Sequence, residues 1–542
     1  MMNRIQKLLG IVLMAVATTS AQAAEIPGVP AEKGAKCTFQ EGVRYSAVVI
    51  NARMNDFKAN RNDAGFGIFN DNGQLVASPT TTKTTLDYVP GLVAKAILEA
   101  IDYYKDVPGV NVKPWWYAMQ YYGCHYDIAF AGKQGMSFDD LNAVKMYFKL
   151  QELAAKGTFA DGQQYSNQQT LSTSAQRFAE ALQGIKTANS TYIIKASTLA
   201  GAAGGWWHKA NYVNQMWCDG QYMGPALLAQ MINEYQGYQP VTGNDWDLLT
   251  RQFSIAWKYL WNDDTRLLYH AFTAEPGGFA AKDWAGILAT PGKEIYHSAE
   301  YWGRAVGWYF LALVDILEQM QQKALTTSDN YQTLLTQLQL LAEGLAARQD
   351  EATGCWYQLL AHDGNFKATT YNASYRYTDQ PVNNYLESSC TAIFTAAYLK
   401  AVRLGLLDKK YVDIAQKAYK GMIEQFMVSD GEGGVHLVGC CKSAGLGGSN
   451  YRDGSAAYYL LGMDTEPTVG DPASPSFYTE GKVFGAFVLA ATEYERLQDH
   501  PSGIKSVAMQ KTADNKYYNL AGQQVTDLSK GLMIAYNKKT IR

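Results

Sequence analysis

Leu92-Val93-Ala94-Lys95-Ala96-Ile97-Leu98-Glu99-Ala100-Ile101 is an amphipathic run in which Lys95 and Glu99 stand four residues apart in an otherwise apolar decapeptide, the spacing of one α-helical face. The same style returns along the chain. Gly307 to Met320 carries apolar residues at helical spacing, Thr391 to Leu404 is Ala-rich and apolar, and Val483 to Tyr494 repeats the pattern. Breaks rich in Gly, Asp and Asn fall between them, as at Asp363-Gly364-Asn365 and Gly431-Glu432-Gly433-Gly434. β alternation is scarce before residue 505. Helix–loop–helix units thus follow one another over roughly 450 residues, and an all-α fold is expected. A closed toroid of helical hairpins, an (α/α)6 barrel, is the economical arrangement. An open solenoid of hairpins competes with it, and no strict repeat separates the two.

The ends differ from this middle. Residues 1–23 read as a secretory signal peptide: Arg4 and Lys7 are basic, Leu8 to Val16 is apolar, and Ala21-Gln22-Ala23 fits a small-x-small cleavage site. No Cys follows that site closely, the first being Cys37, so a lipid anchor is not expected. Nothing later has the length and apolarity of a membrane span, and the protein is expected to be exported, either periplasmic or secreted to the cell surface. The barrel domain is expected over residues 24–500. Residues 505–542 form a separate tail, in which Lys516 to Val525 and Lys530 to Lys539 read as short strands around a Gly turn. The tail resembles the small β tails of some exported proteins, part of which serve as sorting signals; a frayed tail with no role is the alternative.

The net charge is −3 and 18% of the residues are charged, so there is no basic field to meet nucleic acid. Aromatics make up 13%, with 37 Tyr and 12 Trp, a profile common among carbohydrate-active proteins. The seven Cys cannot all pair within the chain, and their spacing matches no zinc pattern. They read as buried small apolar residues, with a Cys37–Cys124 disulfide left open. No metal or cofactor is expected, and the oligomeric state is not legible.

One stretch concentrates chemistry. Residues 205–224 bring Trp206, Trp207, Tyr212, Trp217 and Tyr222 together with His208, Lys209 and a single acid, Asp219. Aromatic faces with a few aimed polar groups suit a sugar, which offers C–H faces and hydroxyl edges. A lone carboxylate amid indoles is poorly solvated, which favours its protonated form and suits it to deliver a proton. The alternative is an aromatic-rich core helix with Asp219 as a cap.

Read with its neighbours, the stretch resembles the unsaturated glycuronyl hydrolases of glycoside hydrolase families 88 and 105, more closely the unsaturated rhamnogalacturonyl hydrolases of family 105. Asp87-Tyr88-Val89-Pro90-Gly91-Leu92-Val93 and Asp139-Asp140-Leu141-Asn142 come first. Trp207-His208-Lys209, Gln215-Met216-Trp217-Cys218-Asp219-Gly220 and Tyr222-Met223 follow, then Tyr269-His270 and Tyr301-Trp302-Gly303-Arg304-Ala305-Val306-Gly307-Trp308. Gly445-Leu446-Gly447-Gly448 and Tyr451-Arg452-Asp453-Gly454-Ser455 close the ordered set, which spans about residues 85–495. The resemblance implies an (α/α)6 barrel and an anionic oligosaccharide substrate left by a polysaccharide lyase. Such a substrate has a C4=C5 double bond in its non-reducing uronic acid. An acid protonates C4, water adds at C5, and the resulting hemiketal releases the shortened sugar.

By the same resemblance Asp219 is the general acid/base and Asp140 the second carboxylate, which would help keep Asp219 protonated. His270 is a polar contact, Lys209 and Arg304 are cations for the substrate's carboxylate or hydroxyls, and Tyr88, Trp217 and Trp308 are sugar-facing rings. Each has a plainer reading: Asp140 as a helix cap, His270, His208 and His297 as core histidines, Arg304 as partner of a structural acid, Arg452-Asp453 as an ion pair, Trp115-Trp116 as core. Phe57 to Thr85, Phe159 to Ser190 and the connection from His270 to Tyr301 look longer than the family pattern, and such insertions shape a pocket mouth. Cys218 stands where an aliphatic residue is expected. A polysaccharide lyase, an ordinary glycosidase with two carboxylates, or a non-catalytic glycan-binding protein are the competing functions.

Overall fold

The computed structural model describes residues 25–55, 67–77, 85–129, 135–157, 166–275, 284–285, 295–369, 381–448, 452–474 and 476–500. It also describes four short strands, Tyr517–Tyr518, Gln524–Val525, Leu532–Ala535 and Lys538–Ile541. The expected signal peptide lies outside the described residues, as do most of Phe57 to Thr85 and much of the connection from His270 to Tyr301.

Fifteen α-helices are described: α1 (Tyr45–Asn55), α2 (Tyr88–Tyr104), α3 (Lys113–His125), α4 (Phe138–Asn142), α5 (Lys145–Ala155), α6 (Asn167–Thr191), α7 (Cys218–Met223), α8 (Pro225–Glu234), α9 (Asp245–Leu260), α10 (Gly303–Gln322), α11 (Asp329–Ala346), α12 (Ser388–Arg403), α13 (Tyr411–Phe426), α14 (Ala456–Leu461) and α15 (Gly481–Asp499). Six of them close a ring in which α2 packs on α5, α5 on α8, α8 on α10, α10 on α12, α12 on α15, and α15 back on α2. Each has an outer partner: α3 on α2, α6 on α5, α9 on α8, α11 on α10, α13 on α12, and α1 on α15. This is an (α/α)6 barrel, and its closure rules out the open solenoid.

The sequence explains which helices line the inside. In α10, 16 of 20 residues are buried, because an inner helix touches neighbours all round. In α6 only 9 of 25 are, in a stripe running from Thr170 through Ser174, Phe178, Ala181 and Ile185 to Ala188. The described part of the polar stretch from Phe159 to Ser190 is therefore mostly an outer barrel helix rather than a loop insertion; Gln168, Gln169, Ser172, Gln176 and Gln183 face water. Inner helices approach closely where glycine allows. A Cβ on Gly91 would stand 2.4 Å from the Ala143 Cα, and one on Gly485 would stand 2.6 Å from the Leu92 Cγ. Capping fixes where helices begin: the Asp87 carboxylate accepts from Val89 N at 3.0 Å and Pro90 sits in the first turn of α2.

The hairpins alternate direction, so all inner helices start at one end of the barrel. That end carries the decoration, antiparallel pairs of two or three residues such as Gln215–Trp217 with Ala271–Thr273 and Met427–Ser429 with Val435–Leu437. The tail strands form a four-stranded sheet of their own, in the order Gln524–Val525, Tyr517–Tyr518, Leu532–Ala535, Lys538–Ile541. All seven cysteines are free. Cys37 and Cys124 are not bridged: Cys37 N bonds Met427 O at 2.9 Å, whereas the Cys124 thiol lies 3.8 Å from the Thr170 hydroxyl, against a different outer helix. Trp115 and Trp116 are core residues. Among the described residues no helix is long and apolar enough to cross a membrane.

Candidate active site

The site is assembled by a three-residue strand pair. The register sets Gln215 opposite Thr273, Met216 opposite Phe272 and Trp217 opposite Ala271, and Cys218 N then bonds His270 O at 3.0 Å. The chain turns into α7 at this point, so Asp219 and His270 end side by side. Nε2 of His270 lies 3.3 Å from Oδ2 of Asp219, and among the described residues neither buried atom makes an aligned hydrogen bond. On the other side of the ring, Nδ1 lies 2.7 Å from the Tyr459 hydroxyl of α14. His270 is 0% exposed, and its burial pushes the imidazole below its ordinary range, with the Asp219 carboxylate pulling the other way.

Aromatic rings wall this pair. Trp217 stands edge-on to His270 with centroids 4.9 Å apart and stacks on Tyr212 at 4.8 Å and 13°. Gln215 Oε1 accepts from the Trp217 indole at 3.1 Å and fixes the ring. Trp302 lies 4.8 Å from the other face of His270.

A second acidic group meets cations nearby. Asp139, in the first turn of α4, accepts from His208 Nε2 at 2.6 Å through Oδ1 and pairs with Lys209 Nζ at 2.5 Å through Oδ2. Desolvation opposes its charge, but Lys209 and His208 outweigh that and hold the carboxyl well below the usual carboxylate range. A bridge between Ser137 and Lys209 brings α4 to this segment. Asp140, the next residue, is buried and keeps polar company of its own. Sequence reasoning singled out Asp140; the structure puts Asp139 between His208 and Lys209. Adjacent helical residues point about 100° apart, and sequence alone does not say which one faces the pocket.

The remaining expected residues are placed as follows. Tyr88 begins α2 half-buried. Burial pushes its phenol up to about 12, while Lys482 and Arg304 draw it down and Asp139 and Asp87 push it up. Those charges show that the starts of α2, α4, α10 and α15 converge. Lys209 is the more open cation, its side chain 26% exposed and its ammonium 5.4 Å from the Tyr212 ring centroid. Arg304 is buried, and its Nη1 donates to Cys441 O at 2.5 Å and to Ser389 Oγ at 3.2 Å, with Glu387 Oε1 at 4.0 Å. Its guanidinium lies 4.5 Å over Trp302. Arg304 thus clasps the 440–442 segment to α10 and α12. Trp308, one turn further along α10, is 1% exposed and stacks on Tyr222 at 4.8 Å in the core, away from the Asp219 cluster's ring of contacts.

Of the plainer candidates, His297 Nδ1 donates to Ser298 O at 2.7 Å and stacks on Tyr269 at 3.6 Å. Arg452 pairs with Asp464 at 2.7 Å, while Asp453 Oδ1 accepts from Ser455 N at 3.0 Å. Sequence reasoning missed Tyr459, Tyr212 and Asp139. Tyr212 lay within the aromatic stretch; Tyr459 lies 189 residues from its partner His270 and carried no local signal. Among the described residues no three His, Cys, Asp or Glu side chains are grouped as a metal site would need.

The sequence and the (α/α)6 fold of this chain match those of known proteins. The sequence model of Glycosyl Hydrolase Family 88 covers residues 68–498. Protein Atu3128 of Agrobacterium fabrum is 36% identical over 182 residues, which are 32% of this chain and 67% of that protein. A family 105 glycoside hydrolase structure from C. acetobutylicum superposes with a TM-score of 0.55 at 26% identity, covering 77% of this chain and 96% of that one. A possible family 105 member from Salmonella enterica serovar Paratyphi A superposes with a TM-score of 0.51 at 17% identity, covering 85% and 96%, and shares the fold. With the family's sequence pattern running from the first decorated turn to the end of the last inner helix, this chain belongs to Glycosyl Hydrolase Family 88.

Proposed function

We propose that this protein removes a 4,5-unsaturated uronic acid from the non-reducing end of lyase-generated oligosaccharides by hydrating its vinyl ether. The observation that carries this reading is the state of Asp219: one carboxyl oxygen, Oδ2, is buried against His270 Nε2, and the side chain keeps 14% exposure on the pocket side. A carboxyl so placed gives a proton to C4 and then accepts one from the water that adds at C5. The C4=C5 π bond is replaced by C4–H and C5–OH. The C5 hemiketal then opens: the bond from C5 to the ring oxygen breaks to give a C5 ketone and a hemiacetal at C1, which collapses to an aldehyde as the C1–O glycosidic bond breaks and the hemiacetal proton passes to the oxygen of the departing, shortened sugar.

Positive charge for the substrate carboxylate comes from Lys209, which is open to solvent, with Arg304 behind it. Trp217 and Tyr88 border the sugar, and the Asp139-Asp140 pair supplies the second carboxylate. The (α/α)6 fold and membership of a glycoside hydrolase family support the reading. We also propose that the protein is exported, as the basic and apolar first 23 residues call for; mass spectrometry of the mature N-terminus checks it.

Absorbance at about 235 nm, where the conjugated unsaturated uronate absorbs, tests the activity on digests of several anionic polysaccharides. A fall in absorbance supports hydration, and the digest that responds names the substrate. A rise on intact polymer would instead establish a lyase. No change on any digest, together with oligosaccharide binding, would leave a glycan-binding protein.

A further inference from the structure

Tyr459 is fully buried, and among the described residues its hydroxyl has one hydrogen-bond partner, His270 Nδ1 at 2.7 Å. His270 is itself fully buried and opens onto Asp219 through Nε2, 3.3 Å from an Oδ2 that has no other donor. Burial disfavours the imidazolium, so the ring carries one N–H.

Two arrangements of that proton exist. With the proton on Nδ1, the ring donates to the Tyr459 oxygen. The buried Tyr459 O–H is then left without an acceptor, and an Nε2 lone pair faces the lone pairs of Oδ2. With the proton on Nε2, Tyr459 O–H donates to Nδ1, and Nε2–H has Asp219 Oδ2 within 3.3 Å, a contact not aligned as a hydrogen bond in this structure. The buried Tyr459 hydroxyl then has its acceptor, and closing the Nε2–Oδ2 contact takes only a small side-chain adjustment. The Asp219 side chain, with Oδ2 buried, keeps 14% exposure.

We propose that Tyr459 is a positioning residue that fixes His270 as its Nε2–H tautomer, so that Oδ2 of Asp219 is held as an acceptor and the exchangeable proton of Asp219 resides on Oδ1, toward the substrate. The catalytic half of this statement rests on the hydratase reading; the tautomer does not. A phenol serves here where a carboxylate would not. It orients the ring without adding a second negative charge, which would draw a proton onto His270 and make it compete with Asp219 as the acid.

The test is long-range 1H–15N correlation on the full chain labelled with 15N-histidine, with the His270 signals assigned by their loss in His270→Gln. Wild type is expected to show a protonated Nε2 and an accepting, unprotonated Nδ1. Tyr459→Phe is expected to lose that preference and to lower kcat on the responding digest about tenfold to a hundredfold with KM within about twofold. A protonated Nδ1 of His270 in wild type would overturn the proposal. So would a Tyr459→Phe enzyme with an unchanged tautomer and unchanged kcat. A wild type that shows the Nε2–H tautomer but hydrates no unsaturated digest would overturn the hydratase reading and uphold the tautomer.

Discussion

Among the described residues the Asp219 carboxylate lies beside the neutral ring of His270, 3.3 Å away, and does not cap α7. Replacing it with Asn keeps the shape and the apolar packing around Trp217. Asp219→Asn is therefore expected to melt within about 1 kcal/mol of wild type and to lose kcat by roughly a thousandfold, measured by thermal denaturation and by the decay of absorbance on the responding digest. An equal loss of stability and activity would show that the carboxylate is structural. At this scale Asp219, Lys209 and Trp217 were legible because they lie within one aromatic segment, whereas His270, far along the chain, was named only through the Tyr269-His270 motif of the family resemblance. The sequence did not resolve Asp139 from Asp140, since neighbours on one turn differ only in direction. It also did not show the hydrogen bonds of Arg304 to Cys441 O and Ser389, which only the closed ring brings near.

The strand pair Gln215–Trp217 with Ala271–Thr273 and the crossings of the inner helices set where those side chains stand. The tightest crossing near the site is at Gly91, where an added Cβ would fall 2.4 Å from Ala143 Cα and 2.8 Å from its Cβ. Neither contact is a flexible side-chain end, so α2 and α4 must separate to admit a methyl group. Gly91→Ala is expected to destabilise the protein by about 2 kcal/mol in denaturant titration, an overpacking cost that outweighs the helix propensity alanine gains. Because α4 carries Asp139 and α2 begins with Tyr88, the separation should also raise KM. Unchanged stability would mean the crossing is looser than its geometry. The inner helices α2, α10, α12 and α15 were legible because apolar residues dominate them. The outer helix α6 was not, because its buried stripe dilutes Phe178, Leu182 and Ile185 with Thr170, Ser174, Gly184 and alanines, within a segment rich in Gln and Ser.

The whole molecule has two unlike ends. Where the inner helices start, Asp219 lies beside His270, and Asp139 lies beside Lys209 and His208. Where they finish, a cavity of about 660 Å³ is lined by charges from all six, among them Lys95, Glu99, Lys149, Asp315, Lys400 and Glu493. Many of these are paired: Lys400 Nζ lies 2.6 Å from Asp315 Oδ1 and 2.7 Å from Glu318 Oε2, tying α12 to α10. Arg403 Nε lies 2.7 Å from Glu493 Oε2, tying α12 to α15. Desolvation works against the Asp315 charge, but Lys400 and then Lys95 hold its carboxyl down to about 2. A carboxyl depressed in the folded state contributes stability that is present above its unfolded value of about 4 and is lost as pH falls toward its folded value. Lys400→Met removes the cation and leaves two partly buried acids facing each other, at an expected cost of about 2–3 kcal/mol near neutral pH. The gap from wild type should narrow between about pH 4 and pH 2, as Asp315 takes up its proton in both proteins. Because Lys400 lies at the end opposite Asp219, kcat and KM at 25 °C should not change, the reverse of what Asp219→Asn does. Denaturant titrations across that pH range, run beside steady-state kinetics, separate the two ends. A fall in kcat without loss of stability would show that the ring transmits strain from its charged floor to Asp219, and that the two ends are not independent.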